Sequence, residues 1–377
     1  MLTASRESKF PLWLHKGTGQ WTRKVRGRQF YFGADRDAAR KEWDRVGEDL
    51  LAGRSPRAKT ENALPLRDAA NQFLTSKRSA VDAGELSARQ WAEYHATCQT
   101  VLDAFGVGRA VADLRPEDFG RLRAVAAARL GPFALSKFIQ MVRTFFKFAF
   151  ENGLIDVPVR YGQSLDKPRQ RTLRLAREAA GSRMLAAADA RKLLDAADPT
   201  MRAAILLALN CGYGQSDLAG LTRSALTRAP GWAVYPRPKT GIARRCPLWP
   251  ETREAIAALP RPVPQDPADA ECVFLTPHGR RLVRFRGEPA GGVKVDYIPA
   301  ALKKLAQSVG VSVRGFYSLR HVHRTVSDGA RDRVASDLIM GHRDASMGAL
   351  YREGVDDARL IVVVGHVRSW LFAGGAV

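Results

Sequence analysis

The stretch IMGHRDASMGALYRE, residues 339–353, sets His342 nine residues ahead of Tyr351. A Gly-His pair opens it and small residues fill the gap. Further back, YSLRHVHR puts Arg320 and His321 side by side, with Tyr317 three residues before Arg320 and His323 three after. A phenol can act as a nucleophile, an imidazole can donate or move a proton, and a guanidinium can hold an oxyanion through two parallel hydrogen bonds. Taken singly, each residue has a plainer reading. Tyr351 would be a packing tyrosine, Arg320 a surface or ion-paired arginine, and Lys239 an exposed turn lysine. His321 and His323 have the spacing of an H-x-H metal pair. No acidic or cysteine partner stands at a convincing spacing, so no metal site is expected.

The charge balance narrows the choice of partner. Among 377 residues, 60 are Lys or Arg and 38 are Asp or Glu, a formal net charge of +22. Such an excess attracts polyanions and releases their counterions on binding, which points to nucleic acid. A GC-rich genome would favour Arg over Lys but would not by itself create the excess. The length predicts two or three domains, and a 45% hydrophobic, 26% charged composition fits a soluble globular chain. No run of about 18 apolar residues exists, so no membrane span is expected. The start, MLTASRESKFPLWLHKG, lacks the apolar core and cleavage site of a signal peptide. Cys98, Cys211, Cys246 and Cys272 are scattered with no CxxC pair, which argues against a zinc ribbon or disulfide framework and fits a reducing cytoplasm.

The elements that must position the chemistry are mostly helical. Residues 1–60 read as a small basic module. In GQWTRKVRGRQFYFG, apolar and basic residues alternate around Gly27, a hairpin pattern, and Ala39, Trp43, Val46 and Leu50 then mark an amphipathic helix that stops at Gly53. Arg23, Lys24, Arg26 and Arg28 are candidate DNA contacts, since such a hairpin can enter a major groove; a solvated hairpin face is the bland alternative. Residues 53–63 are a polar linker. Residues 61–165 predict a bundle of four amphipathic helices: one on Leu66, Ala69, Ala70, Phe73 and Leu74; one opened by a Ser87–Gln90 capping box; one starting at Pro116; and one carrying an aromatic stripe, Phe138 to Phe146, read as core. Residues 166–183 form a basic connector in which Arg169 and Arg171 are candidate phosphate contacts, with a solvated linker equally open. Residues 184–377 predict further helices around a strand–turn–strand, GWAVYPRPKTGIARRCPLW, with Thr240-Gly241 at its turn.

The segment 317–353 resembles the C-terminal signature of the tyrosine recombinase, or phage integrase, family. There an H-x-L-R-H pattern is followed by a Gly-His and then, nine residues on, by a nucleophilic tyrosine. Leu319-Arg320-His321, Gly341-His342 and Tyr351 match in order and spacing. The hairpin RPKTGIARRCPLW resembles the family's β-hairpin with Lys239 as its turn lysine, and the bundle and N-terminal module resemble core-binding and arm-binding domains. The resemblance implies a mainly α fold with small β elements (α+β): arm-type module 1–60, core-binding domain 61–165, linker 166–183 and catalytic domain 184–377, two of them clamping a duplex. It implies strand transfer on double-stranded DNA at an attachment-type site through a 3′-phosphotyrosine, with no metal and no cofactor. Tyr351 would attack, Arg320 and His342 would hold the phosphate, His321 would orient it or accept the tyrosine proton, and Lys239 would protonate the leaving 5′-hydroxyl. A tetramer on two sites is expected. The stripe Leu360, Val363, Val364, Val367, Trp370 and Leu371 would pack on a neighbouring subunit or cap its own domain. A cytoplasmic, nucleoid-associated protein of bacterial or phage origin follows.

Two positions depart from the family pattern. In CGYGQSDLAGL, residues 211–221, Gly214 falls where the family has its first catalytic arginine, and Tyr317 replaces the first histidine of H-x-L-R-H. Losing one charge-assisted donor would cost about 10²–10³ in rate. Gln215, Arg244, Arg245 and Tyr317 are candidate auxiliaries that could compensate. The chain is therefore expected to be a recombinase with its arginine supplied from elsewhere, or an integrase-like DNA-binding protein with weak or no strand transfer. A basic helical transcription factor would explain the charge and the helices but neither the Lys239 hairpin nor the His342–Tyr351 spacing.

Overall fold

The computed structural model describes residues 10–51, 53, 63–286, 293–342, 347–351 and 353–373. The described chain is mainly α with three small antiparallel sheets, and it divides into two compact units, carried by residues 1–180 and by 181–287 with 293–377.

The first unit holds two hydrophobic clusters. In the N-terminal one, β1 (Trp13–His15), β2 (Gln20–Val25) and β3 (Arg28–Tyr31) form a meander covered by α1 (Arg36–Leu51). The β2–β3 turn has only Arg26 (φ 48°) and Gly27 (φ 84°) between the paired Val25 and Arg28, the twist-matched turn that needs positive φ at both positions. Ala39, Trp43, Val46 and Leu50 are buried, as their spacing predicts; β1 has no sequence counterpart. Arg23 lies between Trp21 and Val25 on the strand, so it faces the helix. Its guanidinium stacks 4.5 Å over Trp43 and donates to the Pro11 carbonyl at 3.1 Å.

The second cluster is the helical bundle: α2 (Leu66–Asp82), α3 (Ala88–Phe105), α4 (Pro116–Ala127) and α5 (Pro132–Glu151). Ser87 caps α3 by accepting from the Gln90 amide at 3.2 Å, while the Gln90 side chain reaches Tyr94. The aromatic stripe is core. Phe119 packs edge-on against Phe105, Phe146 and Tyr161, with ring centroids 5.1–5.4 Å away. The basic connector contains a helix, α6 (Gln170–Ala179), with no buried residue; its Arg, Leu and Ala content favours helix without supplying a core face.

The second unit is built on α8 (Pro199–Cys211), which follows α7 (Ala187–Ala196) and leads into α9 (Gln215–Gly220) and α10 (Arg223–Thr227). A short hairpin follows, β4 (Trp232–Val234) and β5 (Arg245–Pro247), then α11 (Pro250–Ala257). A hairpin not anticipated from sequence, β6 (Val283–Arg286) and β7 (Val293–Asp296), precedes α12 (Tyr297–Ser308). The end of the unit is α13 (Tyr317–Ser327), α14 (Arg333–Met340), α15 (Met347–Leu350) and α16 (Asp357–Phe372). On α16, Leu360, Val363, Val364, Val367, Trp370 and Leu371 are buried in their own unit, and the Trp249 indole donates to the Val364 carbonyl at 3.0 Å. Of the two placements open for this stripe, the cap on its own domain is the one found.

Replacing Phe119, which is fully buried, by alanine should cost about 3–5 kcal/mol. Chemical denaturation of the full chain should show the loss in the transition of the first unit and leave that of the second in place.

Candidate functional site

The site grows from the inner face of α13. Arg320 is buried there, and burial pulls its guanidinium below the usual arginine range while Asp217 opposes the shift. One amino group donates to the carbonyl of Gly212, the left-handed residue that ends α8. The other donates to the Met340 carbonyl at 2.9 Å and meets His342 Nε2 at 3.1 Å. A guanidinium only donates, so Nε2 accepts and the imidazole proton sits on Nδ1, 3.3 Å from Asp337. Backbone geometry fixes His342 as well. Gly341 has φ 64°, its N–H donates to the Leu338 carbonyl, and the His342 N–H donates to the Asp337 carbonyl at 2.8 Å. These paired bonds are a Schellman motif at the end of α14, so the Gly-His pair is a helix cap that aims the histidine. Burial first, and Arg320 next, push His342 below the ordinary histidine range, with Asp337 opposing.

Asp217 is the carboxylate behind this pair. It accepts from the Gly214 N–H at 2.7 Å, closing the first turn of α9, and from Arg244 at 2.8 Å. Its second oxygen lies 4.0 Å from Arg320. The Arg244 side chain is sealed from solvent. It stacks 4.5 Å over Tyr213, donates to the Tyr235 carbonyl at 2.9 Å and leaves Nη1 buried without a partner. Its ion pair with Asp217, its bond to the Tyr235 carbonyl and its stacking on Tyr213 make Arg244 a strut between α9 and the hairpin.

The remaining expected residues are distributed unevenly. Lys239 is exposed on the turn between β4 and β5, and Tyr351, at 83% exposure, follows α15. His321 faces outward, with Nε2 2.8 Å from Arg183 and its ring edge-on to Tyr317. His323, two residues on, points inward, with Nδ1 2.8 Å from the Leu209 carbonyl. The H-x-H residues therefore share no site. Arg245 is turned away: it pairs with Asp357 at 2.8 Å and stacks over Trp232. Gln215 donates to Asp296 at 3.2 Å. Tyr317 is half exposed, and its ring lies 3.7 Å from where a Cβ on Gly214 would be, so the two departures from the family pattern are neighbours. In the first unit Lys24, Arg26 and Arg28 are exposed, as are Arg169 and Arg171 on or beside α6, whereas Arg23 is held over Trp43. Sequence reasoning passed over Asp337, Arg183 and Arg237. Asp337 lies five residues before His342, a helix-cap distance that offered a signal. The other two depend on packing between distant segments.

With a buried guanidinium, an imidazole aimed by a helix cap and an exposed phenol nine residues beyond it, the geometry suits a tetrahedral oxyanion. No protein-family model matches the chain. A curated relative, tyrosine recombinase XerC of Rhodospirillum centenum, is 32% identical over 267 residues, 67% of this chain and 72% of the relative. The chain belongs to the tyrosine recombinase family. Among solved structures, a lambda integrase tetramer bound to a Holliday junction matches at TM-score 0.54 and 15% identity, covering 94% of this chain and 99% of that one. The Tn1549 transposon integrase in complex with transposon right end DNA matches at 0.55 and 12%, covering 81% and 100%. These two show a shared fold.

Two measurements test this electrostatic frame. Asp217→Asn would leave Arg244 buried and uncompensated, and should lower stability by about 3–5 kcal/mol in chemical denaturation. His323 is fully buried and held down to about 4, below the ordinary histidine value near 6.5. The unfolded chain therefore binds a proton that the folded chain refuses, and the stability present above pH 6.5 falls as pH drops toward 4, by on the order of 3 kcal/mol. A stability–pH profile should show this slope, and His323→Asn should flatten it in that window.

Proposed function

We propose that the chain is a site-specific DNA recombinase of the integrase type that cuts and rejoins duplex strands through Tyr351. The observation that carries this reading is the Arg320–His342 pair, joined at 3.1 Å and backed by Asp217 and Asp337, nine residues ahead of an exposed tyrosine. In the proposed step the Tyr351 oxygen attacks phosphorus and the bond from phosphorus to the 5′ oxygen breaks. The leaving oxygen takes a proton from Lys239, and the 3′ end stays on Tyr351 as a phosphodiester. The phenol proton passes to His321, which burial and the adjacent Arg183 hold below the usual histidine range and thus neutral, and whose Nε2 must leave Arg183 to accept it. Arg320 and His342 hold the non-bridging oxygens, where charge builds. The released 5′-hydroxyl attacks a partner strand to reverse the chemistry, so the phosphodiester energy is conserved.

Double-stranded DNA at an attachment-type site is the proposed substrate. The +22 charge and the exposed Lys24, Arg26, Arg28, Arg169 and Arg171 support it, with the arm-type module, the bundle and the second unit as three DNA-contacting domains. A tetramer in the synapse and a cytoplasmic, nucleoid-associated setting belong to the same proposal. A second reading, DNA binding with weak strand transfer, is favoured by Gly214 alone.

A nicked suicide duplex, carrying the site recovered by selecting bound fragments from a random pool, separates the two. The native chain should form a covalent adduct on a denaturing gel, and Tyr351→Phe should lose it while its footprint stays. A footprint without an adduct in the native chain would establish the second reading.

A further inference from the structure

Gly214 leaves the oxyanion grip with one guanidinium fewer than the family pattern supplies. Crowding does not require the glycine. Its φ is −99°, and an added Cβ would meet nothing closer than Asp217 at 3.5 Å and Tyr317 at 3.7 Å. Of the donors proposed from sequence to replace the arginine, Arg244 is bonded to Asp217, Arg245 to Asp357 and Gln215 to Asp296, and Tyr317, beside Gly214, offers a hydroxyl without a charge. Another guanidinium stands close to His342. Arg237 lies at the neck of the β4–β5 turn, two residues before Lys239. Its N–H donates to the Ile242 carbonyl at 2.8 Å, and its carbonyl accepts from Thr240 and Gly241 at 3.1 and 2.8 Å, so its backbone is pinned on both sides.

The Arg237 side chain reaches the cap that aims His342. Nη1 donates to the Gly341 carbonyl at 3.2 Å, and its Cβ lies 3.0 Å from where a Cβ on Gly341 would be. Among the described residues this is its one hydrogen bond, and the side chain is half-buried with its other N–H groups unspent. Its charge is felt at both Arg320 and His342, lowering each. Among the described residues no carboxylate pairs with it: Asp217 serves Arg244 and the Gly214 amide, and Asp337 serves Arg324 and His342. Two guanidinium groups beside one imidazole, with Asp217 and Asp337 shared among other cations, suit an anion with several oxygens.

We infer that Arg237 is the second guanidinium on the scissile phosphate, replacing from the hairpin neck the arginine that Gly214 lacks. The inference rests on the recombinase reading above. Arg237 keeps its proton throughout and supplies hydrogen bonds to a non-bridging oxygen as charge develops there.

The test measures covalent-adduct formation by the full chain on the selected nicked duplex. Arg237→Ala should slow cleavage by about 10²–10³ with DNA binding reduced far less. Arg237→Lys keeps the stem and the charge without the planar fork, so it guards against a folding defect, and it should also be slow. Because Arg237 neighbours Lys239, the same variants are run on a duplex with sulfur at the bridging 5′ position, whose thiolate leaves without a proton. The defect should persist there. Recovery on sulfur would assign it to Lys239 placement and overturn the inference, as would native-rate cleavage by Arg237→Ala. Gly214→Arg in the native background should change cleavage less than about tenfold; a gain of about 10²–10³ would show a vacant second position and overturn it too. Absence of any adduct in the native chain would sink the recombinase reading itself, an outcome distinct from the others.

Discussion

Asp217 accepts from the Gly214 amide at 2.7 Å and from Arg244 at 2.8 Å, and it stands 4.0 Å from Arg320. Those three partners come from the start of α9, the end of the β4–β5 hairpin and α13. One carboxylate therefore fixes the relative placement of three segments far apart in sequence. Burying such charges carries a desolvation cost that a hydrophobic replacement would avoid, so the arrangement is poor evidence of stability for its own sake. It is better understood as geometry. Arg320 cannot turn without breaking its bonds to Gly212 and Met340, and Arg244 cannot turn without leaving Tyr213 and Asp217.

The same constraint explains the glycine of the Gly-His pair. Gly341 sits at φ 64°, and an added Cβ would lie 2.7 Å from Arg244 Cδ and 3.0 Å from Arg237 Cβ. Conformation and space both require glycine, because the hairpin's two arginines press on the end of α14. The histidine that follows is thereby locked to the hairpin. A movement of the hairpin that carries Lys239 would be transmitted to the cap that aims His342, so the proposed general acid and the proposed phosphate ligand share one mechanical support.

The periodic elements were legible before the fold was seen. Leu66 to Leu74, the Phe138–Phe146 stripe and Leu360 to Leu371 repeat at helical spacing and are buried on it. Capping was legible in the same way at Ser87 and Pro116. The short strands β3, β4 and β5 showed because a Gly-containing turn marked their hairpins, whereas β1, β6 and β7 had no such turn read for them. Helix α6 hid inside a connector because its leucines are outnumbered by arginines, and none of its residues is buried. Arg23 shows the opposite failure: it stands two residues from both Trp21 and Val25, and strand alternation alone places it on the helix-covered face. Within the proposed site, Tyr351, Arg320 and His342 were named from order and spacing. Arg237 was not, since its contact with the α14 cap arises only when the hairpin neck meets it. The stand-ins suggested by proximity in sequence, Arg244 and Arg245, were drawn into ion pairs by Asp217 and Asp357, neighbours that only folding supplies.

The site is also divided by exposure in a way that bears on how the proposed reaction would be controlled. The proposed oxyanion ligand Arg320 is buried and bonded on three sides, so little reorganisation would be needed where charge develops. The two groups that would make and release bonds, Tyr351 and Lys239, are exposed on short connecting segments. A phenol as exposed as that of Tyr351 is a weak nucleophile, and in the proposed reaction this would protect DNA bound at the wrong place from cleavage. Reactivity then requires a phosphate to draw both exposed groups against the fixed one. In the proposed reaction specificity would lie in assembling the site on DNA: the Asp217 frame is already fixed, and placing Tyr351 and Lys239 is the step that would be left to the substrate.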